Sequence, residues 1–275
     1  MKLCLVMLVL WIYCPRLTAE PLVIVDSVAI LKSAQSGNNP EGRLLQHLLA
    51  HYPGRVQTES LSRNRARAWI KTAGNACIPW LKKTAAREQD YLFSLPYMVE
   101  DALMLVLPAQ SVWHQTLQKM QAGGVLSLRQ LLALPDGPLI GIELNRSYGT
   151  DLDALFVTYR HQRSLYTRTS SSEDMGSLIP MLERGFIDGL LEYPRVAARH
   201  GANFTFYQLQ EAEEVNLVYF ACSRGERGAA VVAGLNQAIL QASQRPDYQQ
   251  LVLGGIRTSR RERALEFWLT QLRAE

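Results

Sequence analysis

Residues 75–97 read NACIPWLKKTAAREQDYLFSLPY and carry the most informative pattern in the chain. An apolar run passes through two lysines and reaches Thr84-Ala85-Ala86-Arg87. Threonine is favoured at helix starts and alanine is a good helix former, so we expect a short helix to begin after Thr84, at the end of a strand. Backbone N–H groups point outward at such a start, and the guanidinium fork of Arg87 is well suited to gripping a carboxylate. The segment therefore predicts an anion-binding turn between a strand and a helix.

The preceding residues alternate between strand and helix patterns. Residues 22–25 form an apolar run typical of a buried strand, and residues 38–41 (NNPE) are a good helix start with proline at the first helical position. Residues 55–61 suit a second strand, after which Ser62 begins a second helix that Gly74 ends. Strand, helix, strand, helix, strand is the order that predicts an α/β domain with a parallel sheet.

Composition fits a folded protein with no nucleic-acid partner. The chain has 275 residues, of which 48% are hydrophobic, which is enough for one or two ordinary cores. Without Lys2 and Arg16, which lie in the predicted leader described next, 27 basic residues face 25 acidic ones. So small a net charge does not point to nucleic acid or to an anionic membrane.

The first nineteen residues are typical of a secretory signal peptide. Met1-Lys2 precedes an apolar run over residues 3–13, and the small residue Ala19 offers a cleavage point. The run is too short to span a bilayer, and an uncleaved anchor is the alternative. We therefore predict residues 1–19 to be a signal peptide and the mature protein to be soluble and periplasmic.

Cysteine usage agrees with an oxidising compartment. Cys4 and Cys14 leave with the predicted signal peptide, whereas Cys77 and Cys222 remain. An even number of cysteines in an exported protein favours a disulfide, with two buried free thiols as the alternative.

Two further patterns are interpreted as structural features and not as functional sites. His47 and His51 are four residues apart, a spacing that suits a metal, but the sequence offers no third ligand nearby, so we interpret them as a structural pair and predict no metal or cofactor. In the helical C-terminal segment, arginines alternate with glutamates, which we interpret as a solvated helix face. The residues concerned are Arg257, Arg260, Arg261, Glu262, Arg263 and Glu266.

The central segment also carries a family resemblance. A strand followed by Thr84-x-x-Arg87-Glu88 and then by Phe93-Ser94-x-Pro96-Tyr97 resembles the family-3, type II periplasmic solute-binding proteins of bacteria, whose best-known members capture amino acids. The resemblance implies a two-lobed, monomeric α/β fold in which each lobe is a mostly parallel sheet flanked by helices. Residues 20–104 would begin lobe 1, residues 105–214 would form lobe 2, and residues 215–275 would return to lobe 1 through the second of two hinge crossovers. In that topology the returning strand lies beside the strand of Cys77, within reach of Cys222.

The resemblance also implies a ligand site between the lobes. Arg87 would clamp a carboxylate, with Ser147 and its turn closing from lobe 2, and the aromatic residues would form the walls. Core packing is an equally good interpretation of Trp80 and Tyr97. The predicted ligand-binding residues are Trp80, Thr84, Arg87, Tyr97, Arg146, Ser147, Glu192 and Tyr193.

The chain departs from the family at two positions. Tyr193 stands where amino-acid binders carry an acidic residue for the ammonium group of the ligand, and Glu192 is one position early. Neighbouring strand residues face opposite ways, so the sequence does not indicate whether an α-amino group is recognised. Cys77 stands where the family usually has aspartate.

These features predict an exported solute-binding protein that captures a small polar, carboxylate-bearing ligand for an ABC-type transporter. The first alternative is a periplasmic sensor module for a membrane receptor, which needs the same closed surface. The second is a dehydratase-like enzyme, similar to the cyclohexadienyl dehydratases, with Glu192 as general acid. The sequence carries no Gly-x-Ser-x-Gly, His-Glu-x-x-His or phosphate-loop motif, so we predict a binder and not an enzyme.

Overall fold

A computed structural model describes residues 19–26, 31–32, 35–37, 39–144, 146–168, 178–201 and 203–274. The predicted signal peptide lies, except for Ala19, outside the described residues. Across the described ranges, no helix is long and apolar enough to cross a membrane.

The first sheet is mixed and runs in the order β2-β1-β3-β12-β4, with β5 also paired to β12. The strands β1, β2 and β3 are parallel because helices connect them, as the alternating pattern predicts. In contrast, β12 runs antiparallel to β3, β4 and β5, because the chain re-enters this sheet from the second one. The strands of this first sheet are β1 (Leu22–Asp26), β2 (Val56–Ser60), β3 (Ala76–Leu81), β4 (Leu92–Phe93), β5 (Met98–Asp101) and β12 (Val215–Cys222).

The second sheet is also mixed, in the order β7-β11-β6-β10-β8-β9. The strand β6 follows β5 directly and is antiparallel to both β10 and β11, whereas β8 is parallel to β9 and β10. The strands of this second sheet are β6 (Met104–Pro108), β7 (Val125–Leu126), β8 (Ile140–Glu143), β9 (Leu165–Arg168), β10 (Gly189–Glu192) and β11 (Phe204–Leu209).

Helices cover both sheets, and the first sheet with its helices is called lobe 1, the second lobe 2. The chain passes between the lobes from β5 to β6 and returns from β11 to β12, which are the two expected crossovers. The helices are α1 (Pro40–Leu49), α2 (Arg63–Ala73), α3 (Ala85–Glu88), α4 (His114–Met120), α5 (Leu128–Leu132), α6 (Thr150–Tyr159), α7 (Ile179–Glu183), α8 (Pro194–Ala198), α9 (Glu226–Ser243), α10 (Pro246–Val252) and α11 (Arg261–Ala274), with 3₁₀ turns at Leu253–Gly255 and Thr258–Arg260.

Local chemistry explains where these helices begin and end. Pro40 is the first residue of α1, and the Asn39 side chain accepts a hydrogen bond from the Gly42 N–H at 2.7 Å. Thr84 caps α3 by accepting from the Arg87 N–H at 3.4 Å, so the predicted helix start at Thr84 is confirmed. The helix α2 ends at Gly74, whose φ of 85° is a conformation that glycine adopts at little cost.

A disulfide between Cys77 and Cys222 joins β3 to β12. The two residues are direct cross-strand partners with Cα atoms 4.0 Å apart, and both are fully buried. The predicted disulfide is therefore confirmed, and the sulfur atoms lie in the core of lobe 1.

The C-terminal arginines correct one expectation from the sequence. Asp101 is only 5% exposed at the end of β5, and it pairs with Arg257 at 2.8 Å and with Arg260 at 3.2 Å. Arg260 also donates to Gln208 in lobe 2 at 2.9 Å. Both arginines contact the first crossover, and Arg260, whose side chain is only 17% exposed, is therefore not part of the solvated face to which it was assigned; Arg257, at 41%, is exposed as predicted.

Candidate functional site

A cavity of about 500 Å³ lies between the two lobes, beside the second crossover and α11. This volume is in the range of roughly 300–1,000 Å³ that is usual for small-molecule sites. Its walls mix charged groups with apolar and aromatic surface. The lining residues are Lys82, Lys83, Thr84, Gly149, Thr150, Glu213, Glu214, Val215, Leu217, Tyr219, Arg263 and Phe267.

The cavity brings the predicted turn of lobe 1 opposite a helix start of lobe 2. Thr84 begins α3 on one side, and Gly149-Thr150 begins the ten-residue helix α6 on the other. Gly149 has a φ of 110°, and a Cβ atom there would lie 2.9 Å from Oε1 of Glu213. Glycine is therefore required both by the backbone and by the close approach of the second crossover.

Arg87 supports the lobe 1 wall of the cavity without lining it. Its Nη1 donates to the carbonyl oxygen of Lys82 at 2.9 Å, which fixes the segment between β3 and α3. Burial lowers the pKa of Arg87, and the negative charge of Asp153 on α6 opposes that change. The positive charge of Arg87 therefore interacts across the gap with Asp153 in the first turn of α6.

That first turn is tied together by Asp153. Ser147 donates its hydroxyl to Oδ2 of Asp153 at 2.6 Å, and the Tyr148 N–H donates to Oδ1 at 2.8 Å. Ser147 is thus joined to the start of α6, and its hydroxyl bonds to the chain itself.

Lys82 is a largely buried cation at the carboxyl end of β3. Its side chain is only 11% exposed, and it bonds to Oε2 of Glu213 at 3.3 Å and to Oδ1 of Asn216. Burial lowers the pKa of Lys82, and Glu213 acts in the opposite direction. No sequence signal links residues about 130 positions apart, so neither partner could have been anticipated.

Three of the predicted site residues meet at the carboxyl ends of β8 and β10. Arg146 donates to both oxygens of Glu192, at 2.8 and 2.7 Å, and the Tyr193 N–H donates to Oε1 at 2.8 Å. The guanidinium carbon of Arg146 lies 4.9 Å from the ring centre of Tyr148 and 5.8 Å from that of Tyr193. Burial lowers the pKa of Arg146, but the charge of Glu192 and its hydrogen bonds together outweigh burial and hold that pKa well above its usual value.

This cluster continues into lobe 1. Burial, followed by the charge of Glu100 on β5, raises the pKa of Tyr193. Arg195 of α8 pairs with Glu41 of α1 and, at 3.4 Å, with Glu100. Arg199 also pairs with Glu41. These ion pairs therefore join the two lobes, and no pattern in the sequence indicates which charged residues are partners.

Trp80 and Tyr97 lie within lobe 1. Tyr97 is fully buried, accepts a hydrogen bond from the Trp80 N–H at 3.1 Å and lies 5.6 Å from the Trp80 ring. This placement favours core packing for Tyr97. Trp80 has a φ of 61°, which is uncommon outside glycine and often marks functional turns, and its buried Nε1 has no hydrogen-bond partner among the described residues.

His47 belongs to a surface contact. Its Nε2 lies 3.0 Å from Asp247 and its ring 5.6 Å from that of His51. Within the described residues, no group of three His, Cys, Asp or Glu side chains is placed to hold a metal ion.

Comparisons with known proteins show the fold and leave the ligand open. Neither a protein-family model nor a curated protein sequence matches the chain. An amino-acid ABC transporter substrate-binding protein of Streptococcus pneumoniae bound to L-arginine superposes with a TM-score of 0.59 at 15% identity, covering 86% of this chain and 93% of that one. The chain has the fold of these two-lobed substrate-binding proteins.

Two further structures agree. A periplasmic binding protein of Salmonella typhimurium with high arginine specificity gives a TM-score of 0.57 at 14% identity, over 85% of this chain and 97% of that one. An ancestral amino-acid-binding protein, a precursor of cyclohexadienyl dehydratase, gives 0.59 at 15% identity, over 86% and 96%. At these identities the similarity concerns the fold, which is the two-lobed type II α/β fold expected from the sequence.

Proposed function

We propose that this chain is an exported, periplasmic solute-binding protein that captures a small carboxylate-bearing ligand between its lobes and delivers it to an ABC-type transporter. The observation that carries the proposal is the cavity in which Thr84 at the start of α3 faces Gly149 and Thr150 at the start of α6. The start of a helix presents N–H groups to anions, and the ten-residue helix α6 begins at this cavity, opposite Lys82 and Lys83 of lobe 1. The fold shared with amino-acid substrate-binding proteins supports the same function.

Arg87 adds positive charge behind the lobe 1 wall of this site, next to Lys82 and Lys83, which line it. Its electrostatic contact with Asp153 spans the gap that a ligand carboxylate would enter. A guanidinium gives directional, charge-assisted hydrogen bonds to carboxylates, so we assign Arg87 as the carboxylate clamp and Thr84 as its neighbour in the turn.

The geometry argues against the dehydratase-like alternative. A general acid must present a proton to its substrate, and that alternative assigns this role to Glu192. Both oxygens of Glu192 accept hydrogen bonds from Arg146, and Oε1 accepts a further one from the Tyr193 N–H. Glu192 is also only 2% exposed, so a substrate has no direct access to it.

A thermal-shift screen of the mature, oxidised protein tests the proposal. The panel contains mono- and dicarboxylates, amino acids, short peptides and, as a class without carboxylate, neutral sugars. A ligand at 100 times its dissociation constant stabilises the folded state by about 2.7 kcal/mol, which raises the unfolding temperature measurably. We expect a carboxylate to give the shift and to be recovered unchanged afterwards. A shift from sugars alone, or conversion of the carboxylate to a product, would contradict the proposal.

A further inference from the structure

The Arg146–Glu192 pair has the form of a guanidinium bound in a ligand subsite. The two N–H···O contacts of 2.8 and 2.7 Å run from Nη1 and Nη2 to the two carboxylate oxygens, which is the fork geometry that proteins use to recognise guanidinium groups. The rings of Tyr148 and Tyr193 add cation–π contacts. Here the guanidinium belongs to the chain itself.

The pair lies beside the lobe 2 wall of the cavity without lining it, because Arg146 belongs to the turn that leads to Gly149 and Thr150. Glu192 ends β10, and Arg146 lies between β8 and α6, at the carboxyl edge of the second sheet, where open α/β sheets bind their ligands. Arg195, three residues after Glu192, pairs with Glu41 and, at 3.4 Å, with Glu100 of lobe 1, so the pair lies next to the contact between the lobes.

Arg146 cannot leave this position without cost. Glu192 is 2% exposed, and a buried carboxylate that loses its cation becomes an uncompensated charge, which is strongly unfavourable. An ammonium or guanidinium group of a ligand would have to displace Arg146 to reach Glu192. Several other carboxylates at the contact are also paired with cations: Glu41 with Arg195 and Arg199, Glu100 with Arg195, Glu213 with Lys82, and Glu214 with Arg263.

We propose that Arg146 fills the Glu192 subsite as a built-in guanidinium and thereby makes the cleft select carboxylates that carry no amino or guanidino group. This inference rests on the proposed function, whose ligand class it narrows. Arg146 then determines specificity: its guanidinium occupies the carboxylate that a cationic ligand group would need.

The test removes the built-in group and supplies it from solution. The variant Arg146→Ala is titrated calorimetrically with methylguanidinium, alongside the wild type. We expect saturable binding to the variant and none to the wild type, and we expect the additional change Glu192→Gln to abolish the binding. Arg227→Ala is the matched control, because it removes an arginine from an ion pair of 2.6 Å with Glu20 at an exposed site, where water competes for the released carboxylate. If Arg146→Ala does not fold alone, methylguanidinium should restore a cooperative unfolding transition in a concentration-dependent way.

Selectivity is measured with succinate and L-aspartate, which differ only in one amino group. The wild type should bind succinate at least about tenfold more tightly, and Arg146→Ala should reduce this preference. Equal affinity of the wild type for both acids would overturn the inference. A folded Arg146→Ala variant that does not bind methylguanidinium would also overturn it. If no carboxylate binds the wild type, the proposed function fails, and the methylguanidinium titration then decides by itself whether Arg146 fills the subsite.

Discussion

Removal of the Cys77–Cys222 disulfide should lower the free energy of unfolding by an amount that depends on the length of the loop that the disulfide closes. The two residues are 145 positions apart, and the loop between them contains every described strand of lobe 2. In the chain-entropy treatment, closing a loop of that length restricts the unfolded chain by about 5 kcal/mol at 25 °C, the upper end of the measured range. For a chain of this size that corresponds to roughly 10–20 °C in unfolding temperature.

The experiment compares the wild type with the double variant Cys77→Ala/Cys222→Ala. Both positions are fully buried and apolar in surroundings, so alanine removes the bond without adding a polar group to the core. Unfolding in guanidinium chloride is followed by tryptophan fluorescence, for which the fully buried Trp268 reports on lobe 1, and by circular dichroism for the whole chain. Reduced wild-type protein should behave as the double variant does. A difference below about 1 kcal/mol at an unchanged denaturant slope would refute the reasoning, because the loop entropy would then not act on the unfolded state.

Two other predictions concern the contact between the lobes and the first crossover. Glu41→Gln should open the ligand-free protein, because it weakens the pairs with Arg195 and Arg199, and small-angle scattering should record a larger radius of gyration. High salt should also increase the radius of gyration of the wild type. The control Lys71→Ala, which breaks a pair with Asp90 inside lobe 1, should leave the radius of gyration unchanged. Asp101→Asn should lower the free energy of unfolding by roughly 1.5–3 kcal/mol, the value of hydrogen bonds to a charged group. Burial raises the pKa of Asp101, but bonds from Arg257 and the Ala102 N–H outweigh it, so that pKa is below its usual value. The stabilisation is therefore present above the pKa of an unfolded aspartate and is lost as the pH falls through the folded pKa. In chemical unfolding between pH 2 and 7, the difference in unfolding free energy between the wild type and Asp101→Asn should shrink as the pH falls.

The sequence predicted those parts of the fold whose signals are local. The cap at Thr84, the proline start of α1 and the glycine end of α2 depend on residues next to each other, and each appears as expected. The short strands β4, β5, β7 and β9 were missed, because two to four residues carry too little alternation to indicate a strand. They exist because a neighbouring strand offers them hydrogen-bonding partners.

The predicted site was harder to obtain from residues alone. The turns that carry Thr84 and Ser147 follow from strand-to-helix patterns, and both lie near the start of a helix in the structure. The partners of the charged side chains do not follow from any local pattern: Lys82 with Glu213, Arg195 with Glu41, and Arg146 with Glu192 are 46 to 154 residues apart. Only the folded structure determines which charged side chains pair with each other between the lobes. The same structure is needed to tell whether Glu192 is free for a ligand or already paired with Arg146.

Calorimetric titration of Arg87→Ala with the carboxylate found in the thermal-shift screen tests the central claim most directly. Loss of a charge-assisted contact of about 1.5–3 kcal/mol should weaken binding roughly 10- to 150-fold. Arg224→Ala is the matched control, since Arg224 donates to the carbonyl oxygen of Glu88 at 2.6 Å, at the far end of the same short helix, and should leave the affinity unchanged. Unaltered affinity in Arg87→Ala, or equal losses in both variants, would contradict a carboxylate clamp at Arg87.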